Sequence, residues 1–137
     1  MFFKKALIIT FLCALVVLPS AAHKTEEDVQ SLYDDIVQGF TNVDARLISK
    51  HFNASVELII NKSSGIYGKA QAEQMLRTFF NNNASPTGKF NYKHLHDSER
   101  DNIQYSIGEL HTGRDLYRIT LYIKDSLIHR MNIESND

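Results

Sequence analysis

Cysteine is almost missing from this 137-residue chain: Cys13 is the only one, and it sits inside an N-terminal apolar run. A chain starting beyond that run holds no thiol. Disulfide staples and thiol catalysis are then excluded, and stability must come from packing. A basic surplus is missing too. Lys and Arg number 15 against 16 Asp and Glu, so the charge balance points neither to nucleic acid nor to an anionic membrane. Long apolar runs are scarce. Ala6–Leu18, interrupted only by Thr10, is about 13 residues, short of the roughly 20 that a membrane-spanning helix needs. The sequence has no phosphate-binding glycine loop, no local Ser-His-Asp signature, no internal repeat and no low-complexity tract.

What stands at the N-terminus is ordered like a secretory signal. Lys4 and Lys5 precede the apolar run, Pro19 breaks it, and Ser20-Ala21-Ala22 offers small residues for a cut after Ala22. Thr10-Phe11-Leu12 ahead of Cys13 does not suit a lipoprotein cut, so no lipid anchor is expected. The prediction is a signal peptide over residues 1–22 and an exported protein, periplasmic or secreted. His23–Asp137 leaves 137 − 22 = 115 residues, the size of one domain. Without Lys4 and Lys5 the charges are 13 basic and 16 acidic, a net of 13 − 16 = −3.

Helical spacing dominates the first half. Thr25 reads as an N-cap before Glu26-Glu27-Asp28, acids that suit the positive end of a helix. Val29, Leu32, Tyr33, Ile36, Val37 and Phe40 then recur at helical intervals. A short second helix is expected over Val43–Lys50 and a strand over Ser55–Ile60. A loop then leads into a third helix whose face is Ala72, Met75, Leu76, Phe79 and Phe80. From Lys89 the period falls to two. Four alternating runs follow, centred on Tyr92, Tyr105, Ile119 and Met131, with polar turns at Asp97–Asp101, Thr112–Arg114 and Lys124–Ser126. The class is α+β: three helices on the concave face of a curved antiparallel sheet.

Particular residues carry a family resemblance. They are Tyr67, Lys69-Ala70-Gln71-Ala72-Glu73, Leu76 and Phe79-Phe80, then Tyr105-x-Ile107-Gly108-x-Leu110, Tyr117-Arg118, and Ile128-His129 leading to Ile133-Glu134. Together with the element order, they resemble a family of small exported bacterial proteins of unknown function. That family has the nuclear transport factor 2-like, cystatin-like cone. The resemblance implies a single such domain over 23–137 and a pocket between sheet and helices, open in some relatives and filled in others. It implies no activity and no catalytic residue.

Alternation of apolar residues predicts an inner row Tyr92–Tyr105–Leu121–His129, with Phe90–Ile107–Ile119–Met131 below it and His94–Ile103–Ile123–Leu127 above. Tyr92, Tyr105 and His129 are therefore the ligand-pocket candidates, since two phenols and an imidazole can bind a small polar molecule or move protons. They can equally be core residues with internally partnered tips. His94-x-His96 puts two imidazoles on one strand face, with Glu109 or His111 within reach as a third ligand. Two His on a strand are a weak zinc signal, so neither metal nor cofactor is predicted.

Three function classes follow. The leading one is an exported non-enzymatic binding or interaction module for a small molecule, because no inward carboxylate stands beside the predicted Tyr/His cluster. The second is a small dehydratase- or isomerase-like enzyme using His129 as base and Tyr105 as donor. The third is a structural homodimer. The resemblance implies dimerisation through the outer sheet face, here Leu116, Arg118, Tyr122 and Ile128, with Arg130 and Glu134 at its rim.

Overall fold

Three two-residue turns shape the sheet. Asn61-Lys62, Asp101-Asn102 and Asp125-Ser126 each hold positive φ at both positions, at 48° and 72°, 53° and 62°, and 51° and 58°. This is the turn whose backbone twist matches two paired strands, and Asn and Asp enter that region at little cost. The computed structural model describes residues 26–136. The predicted signal segment, Cys13 and the Thr25 cap lie outside the described residues.

The chain runs α1 (Glu26–Thr41), α2 (Ala45–Ser49), β1 (Phe52–Ile60), β2 (Ser63–Gly68), α3 (Lys69–Asn82), β3 (Asn91–Arg100), β4 (Ile103–His111), β5 (Leu116–Lys124) and β6 (Leu127–Ser135). The six strands form one curved sheet in the order β2-β1-β6-β5-β4-β3. Every neighbouring pair is antiparallel except β1 and β6, which run parallel. The expected three helices and curved sheet are present, with a mixed sheet in place of an all-antiparallel one. The segment of β2 reads as loop in the sequence and is a strand in the structure. Its two serines and two glycines carry little strand preference, and it lies at the sheet edge, where it pairs only with β1.

Helix α3 is built from strong helix formers, Lys69-Ala70-Gln71-Ala72-Glu73. It buries Ala72, Leu76, Phe79 and Phe80, so the predicted inward stripe holds. Its end is sealed by Asn83, whose Nδ2 donates to the Phe79 carbonyl at 2.9 Å. Helix α2 starts at the Asp44 carboxylate, which accepts from the Leu47 amide at 3.1 Å. Ser49 then ties α2 to α3 by donating to Glu73 Oε1 at 2.9 Å.

Between helices and sheet the interior is filled by rings. Phe40 stacks on Tyr92 with centroids 5.1 Å apart and meets Phe80 edge-on at 5.9 Å, and Phe80 meets Phe90 edge-on at 5.8 Å. Such pairs add about 0.5–1.5 kcal/mol each to the burial of their surface. The centre of the cone is therefore core. Room for a ligand lies at its margins.

Candidate functional site

The site follows from one irregularity in β3. His94 pairs with Gly108 and His96 with Ile107, so Leu95 is an extra residue in the strand. Before this bulge Tyr92 and His94 face the helices. After it the phase reverses: His96 turns outward and Asp97, opposite the buried Ser106, turns inward. The bulge thus lines up Tyr92, His94 and Asp97 on one face, which strict alternation could not do.

Helix α1 supplies the opposite wall. Gln30, Tyr33, Asp34, Ile36 and Val37 close a hollow of about 210 Å³ over Tyr92, His94 and Asp97. The polar groups inside are linked. Asp97 Oδ2 lies 3.0 Å from His94 Nε2, and His94 Nδ1 lies 3.4 Å from the Ser106 hydroxyl. The Tyr33 ring tilts against the His94 ring at 5.6 Å. Burial, the charge of Asp97 and a hydrogen bond to that carboxylate push the Tyr33 phenol up to about 12. Burial raises the Tyr92 phenol as well, helped by the charge of Asp97 and by Tyr33. Tyr92 is 8% exposed, with its phenol lying over Gly108. Chemically, the hollow offers two carboxylates, Asp34 and Asp97, with two neutral phenols, an imidazole and the Gln30 amide, which donates to Asp34 at 3.0 Å.

Of the predicted site residues, only Tyr92 stands here. Tyr105 and His129 lie elsewhere, for two physical reasons. Along β4 the inner positions are Ser106, Gly108 and Leu110, because Gly108 leaves the space that the Tyr92 phenol occupies. Tyr105 and Ile107 are displaced outward with their pairing partners Tyr122 and Thr120. In β6 a bulge opposite Tyr122 and Ile123 makes His129 the unpaired residue. Ile128 is then fully buried, so it leaves the predicted outer patch. The row Tyr92–Tyr105–Leu121–His129 does not form.

Tyr105 and His129 nevertheless meet on the outer face. With Glu57, Ile103, Tyr122, Lys124 and Arg130 they line a hollow of about 390 Å³. Tyr105 packs edge-on against Tyr122 at 4.8 Å, and the Arg130 guanidinium lies 4.8 Å above the Tyr122 ring. Arg130 Nε also donates to Glu57 Oε2 at 2.5 Å. Leu116 and Tyr122 lie half-buried on this face and Arg118 is exposed there. The residues that sequence reasoning missed are Tyr33, which reads as a helix-core position, and Asp97, which reads as a turn. The two histidines of His94-x-His96 fall on opposite faces, and no group of three His, Cys, Asp or Glu able to hold a metal occurs among the described residues.

Residues 33–135 match the model of a domain of unknown function, DUF4783. The chain belongs to that family. A crystal structure of a DUF4783 family protein from Bacteroides uniformis is similar, at 25% identity and a TM-score of 0.65, over 76% of this chain and 96% of that one. A second, from Bacteroides ovatus, is 23% identical with a TM-score of 0.64, over 75% and 94%. A SnoaL-like protein of unknown function from Burkholderia thailandensis, 12% identical with a TM-score of 0.60 over 82% and 98%, shares the fold alone. No curated protein matches the chain. The fold is nuclear transport factor 2-like.

Proposed function

We propose that this member of the DUF4783 family is an exported, non-enzymatic binding module that takes a small cationic group between α1 and β3. The observation that carries this is the Asp97 carboxylate, turned inward by the β3 bulge beside His94 and within the electrostatic reach of the Tyr33 and Tyr92 phenols. The carboxylate favours a positive charge, and aromatic faces attract cations. A hollow of about 210 Å³ suits a head group and not a whole drug-sized molecule. The ring stack of Phe40 on Tyr92 fills the centre of the cone, which argues against a deep reaction chamber. Tyr105 and His129, the base and donor of the enzyme reading, lie away from this hollow.

Titration with ethanolammonium and trimethylammonium, followed by nuclear magnetic resonance, tests the proposal. Signals of Tyr33, Tyr92 and His94 should move together, and Asp97→Asn should weaken binding about tenfold, the scale of a charged hydrogen bond. Unmoved signals, or binding unchanged in Asp97→Asn, would overturn it. Export is tested separately: the N-terminus of envelope-fraction protein should be His23, and an intact Met1 would refute cleavage.

A second reading concerns the outer face. Ile66, Glu57, Arg130, Tyr122 and Tyr105 form one row across five strands. Ile66 is 76% exposed. The Glu57–Arg130 pair leaves the row near neutral, and a twofold partner offers it the same aromatic surface. On that ground this face is read as the contact of a homodimer.

A further inference from the structure

A hollow of about 500 Å³ lies at the other end of the sheet, between the last turn of α3, the β1–β2 turn and the start of β5. Nothing in the site at α1 uses it. Its floor is apolar and firmly held. Phe79 meets Tyr117 edge-on at 5.0 Å, and the Tyr117 hydroxyl donates to Asn83 Oδ1 at 2.8 Å. Asn83 spends its other amide group on the Phe79 carbonyl, so both of its ends are satisfied. Burial raises the Tyr117 phenol, with the charge of Asp115 adding to it, so the hydroxyl stays protonated.

The wall is preorganised by one buried side chain. The Thr112 hydroxyl accepts from the Asp115 amide at 3.2 Å and the Arg114 amide at 3.4 Å, and lies 3.3 Å from the Asp115 carbonyl. That closes the turn and sets Arg114 and Asp115 side by side at the rim. The Arg114 guanidinium reaches the Asn82 carbonyl at 3.4 Å, at the negative end of α3. Across the hollow, Asn61 Oδ1 accepts from the Ser135 amide at 3.2 Å, and the Asn61 side chain also interacts with the Tyr117 hydroxyl.

The charges decide the ligand class. Arg114 and Asp115 cancel, so the rim has no net preference for an anion or a cation. It offers a forked donor, a two-oxygen acceptor and the Asn82 side-chain amide, which can do both. Hydroxyl groups are themselves donor and acceptor, and two neighbouring ones match a carboxylate or a guanidinium at two points. Beneath lies an apolar floor for a C–H face. We infer that this hollow binds a neutral polyhydroxylated ligand, one or two saccharide units in size. The volume lies within the range of small-molecule sites.

Titration of isotope-labelled protein with N-acetylglucosamine, galactose and maltose tests it, with succinate and ethanolammonium as charged comparisons. At tens of millimolar at least one saccharide should move amide signals in 60–63, 78–83 and 112–117 together. Arg114→Ala should weaken that binding about tenfold, and Asn82→Ala gives a second, independent loss. Asp97→Asn should leave it unchanged, which separates this site from the one at α1. The inference is overturned if no saccharide moves these signals, if succinate alone moves them, or if both rim variants bind like the parent.

Discussion

The Tyr92 phenol lies over Gly108, in the space that a β-carbon at Gly108 would need. A glycine inside a strand normally weakens it, and alanine there is usually a gain. Here the sign reverses. Gly108→Ala should lower stability by about 1–3 kcal/mol, the range for overpacked cores. In a Tyr92→Ala background the same change should be near neutral, because the clashing ring has gone. Denaturant midpoints of the four proteins in this cycle check it. A Gly108→Ala protein as stable as the parent would mean that the phenol does not need this place.

This contact also explains why the fold was more legible than the site. Strong periodicity marked α1, α3 and the inner face of β5, where Tyr117, Ile119, Leu121 and Ile123 are all buried as expected. The inner face of β4 could not be read that way. Its inward residues, Ser106, Gly108 and Leu110, are on average smaller than its outward ones, Tyr105 and Ile107. Hydrophobicity therefore favoured the wrong phase. The bulges at Leu95 and His129 leave no mark in residue type, yet each changes which side chains face inward. Of the three pocket candidates, only Tyr92, ahead of the first bulge, faces inward. The Tyr33–Asp97 link joins residues 64 positions apart, and only tertiary structure brings them together.

The Tyr33 phenol should titrate near 12 in the folded protein, against about 10 in an unfolded chain. Between those values the native state holds a proton that the unfolded state has lost. Stability from this group is complete below pH 10 and falls as pH rises through 12. Carbon-13 shifts of the tyrosine ring carbons, read against pH, check it. Burial is the first cause, so Asp97→Asn should lower the value without restoring it fully. A Tyr33 that titrates at the ordinary phenol value would contradict the placement of Asp97.

Phe79 and Phe80 are 4% and 2% exposed, so both rings lie deep in the seal between α3 and the sheet. Alanine at either should cost about 3–5 kcal/mol. Phe79→Ala should also loosen the floor under Tyr117, whose ring it touches edge-on. A loss below about 1 kcal/mol at both positions, by denaturant midpoint, would mean that α3 does not seal the sheet.

Tyr122→Glu tests the outer face as a contact between two copies. The Tyr122 ring sits between Tyr105 and the Arg130 guanidinium, half-buried and apart from the inner core. A glutamate there removes aromatic surface and sets a second carboxylate near Glu57 on the same row. The fold should survive, because the inward neighbours Leu121 and Ile123 are untouched. A twofold contact would not, since each copy would bring the new charge close to the axis, where like charges oppose association. Arg118→Glu, placed on the exposed part of the same strand, should weaken association less, because exposed pairs contribute little. Sedimentation equilibrium at tens of micromolar should give a dimer for the parent and a monomer for Tyr122→Glu. A monomeric parent, or a variant that remains dimeric, rules this interface out.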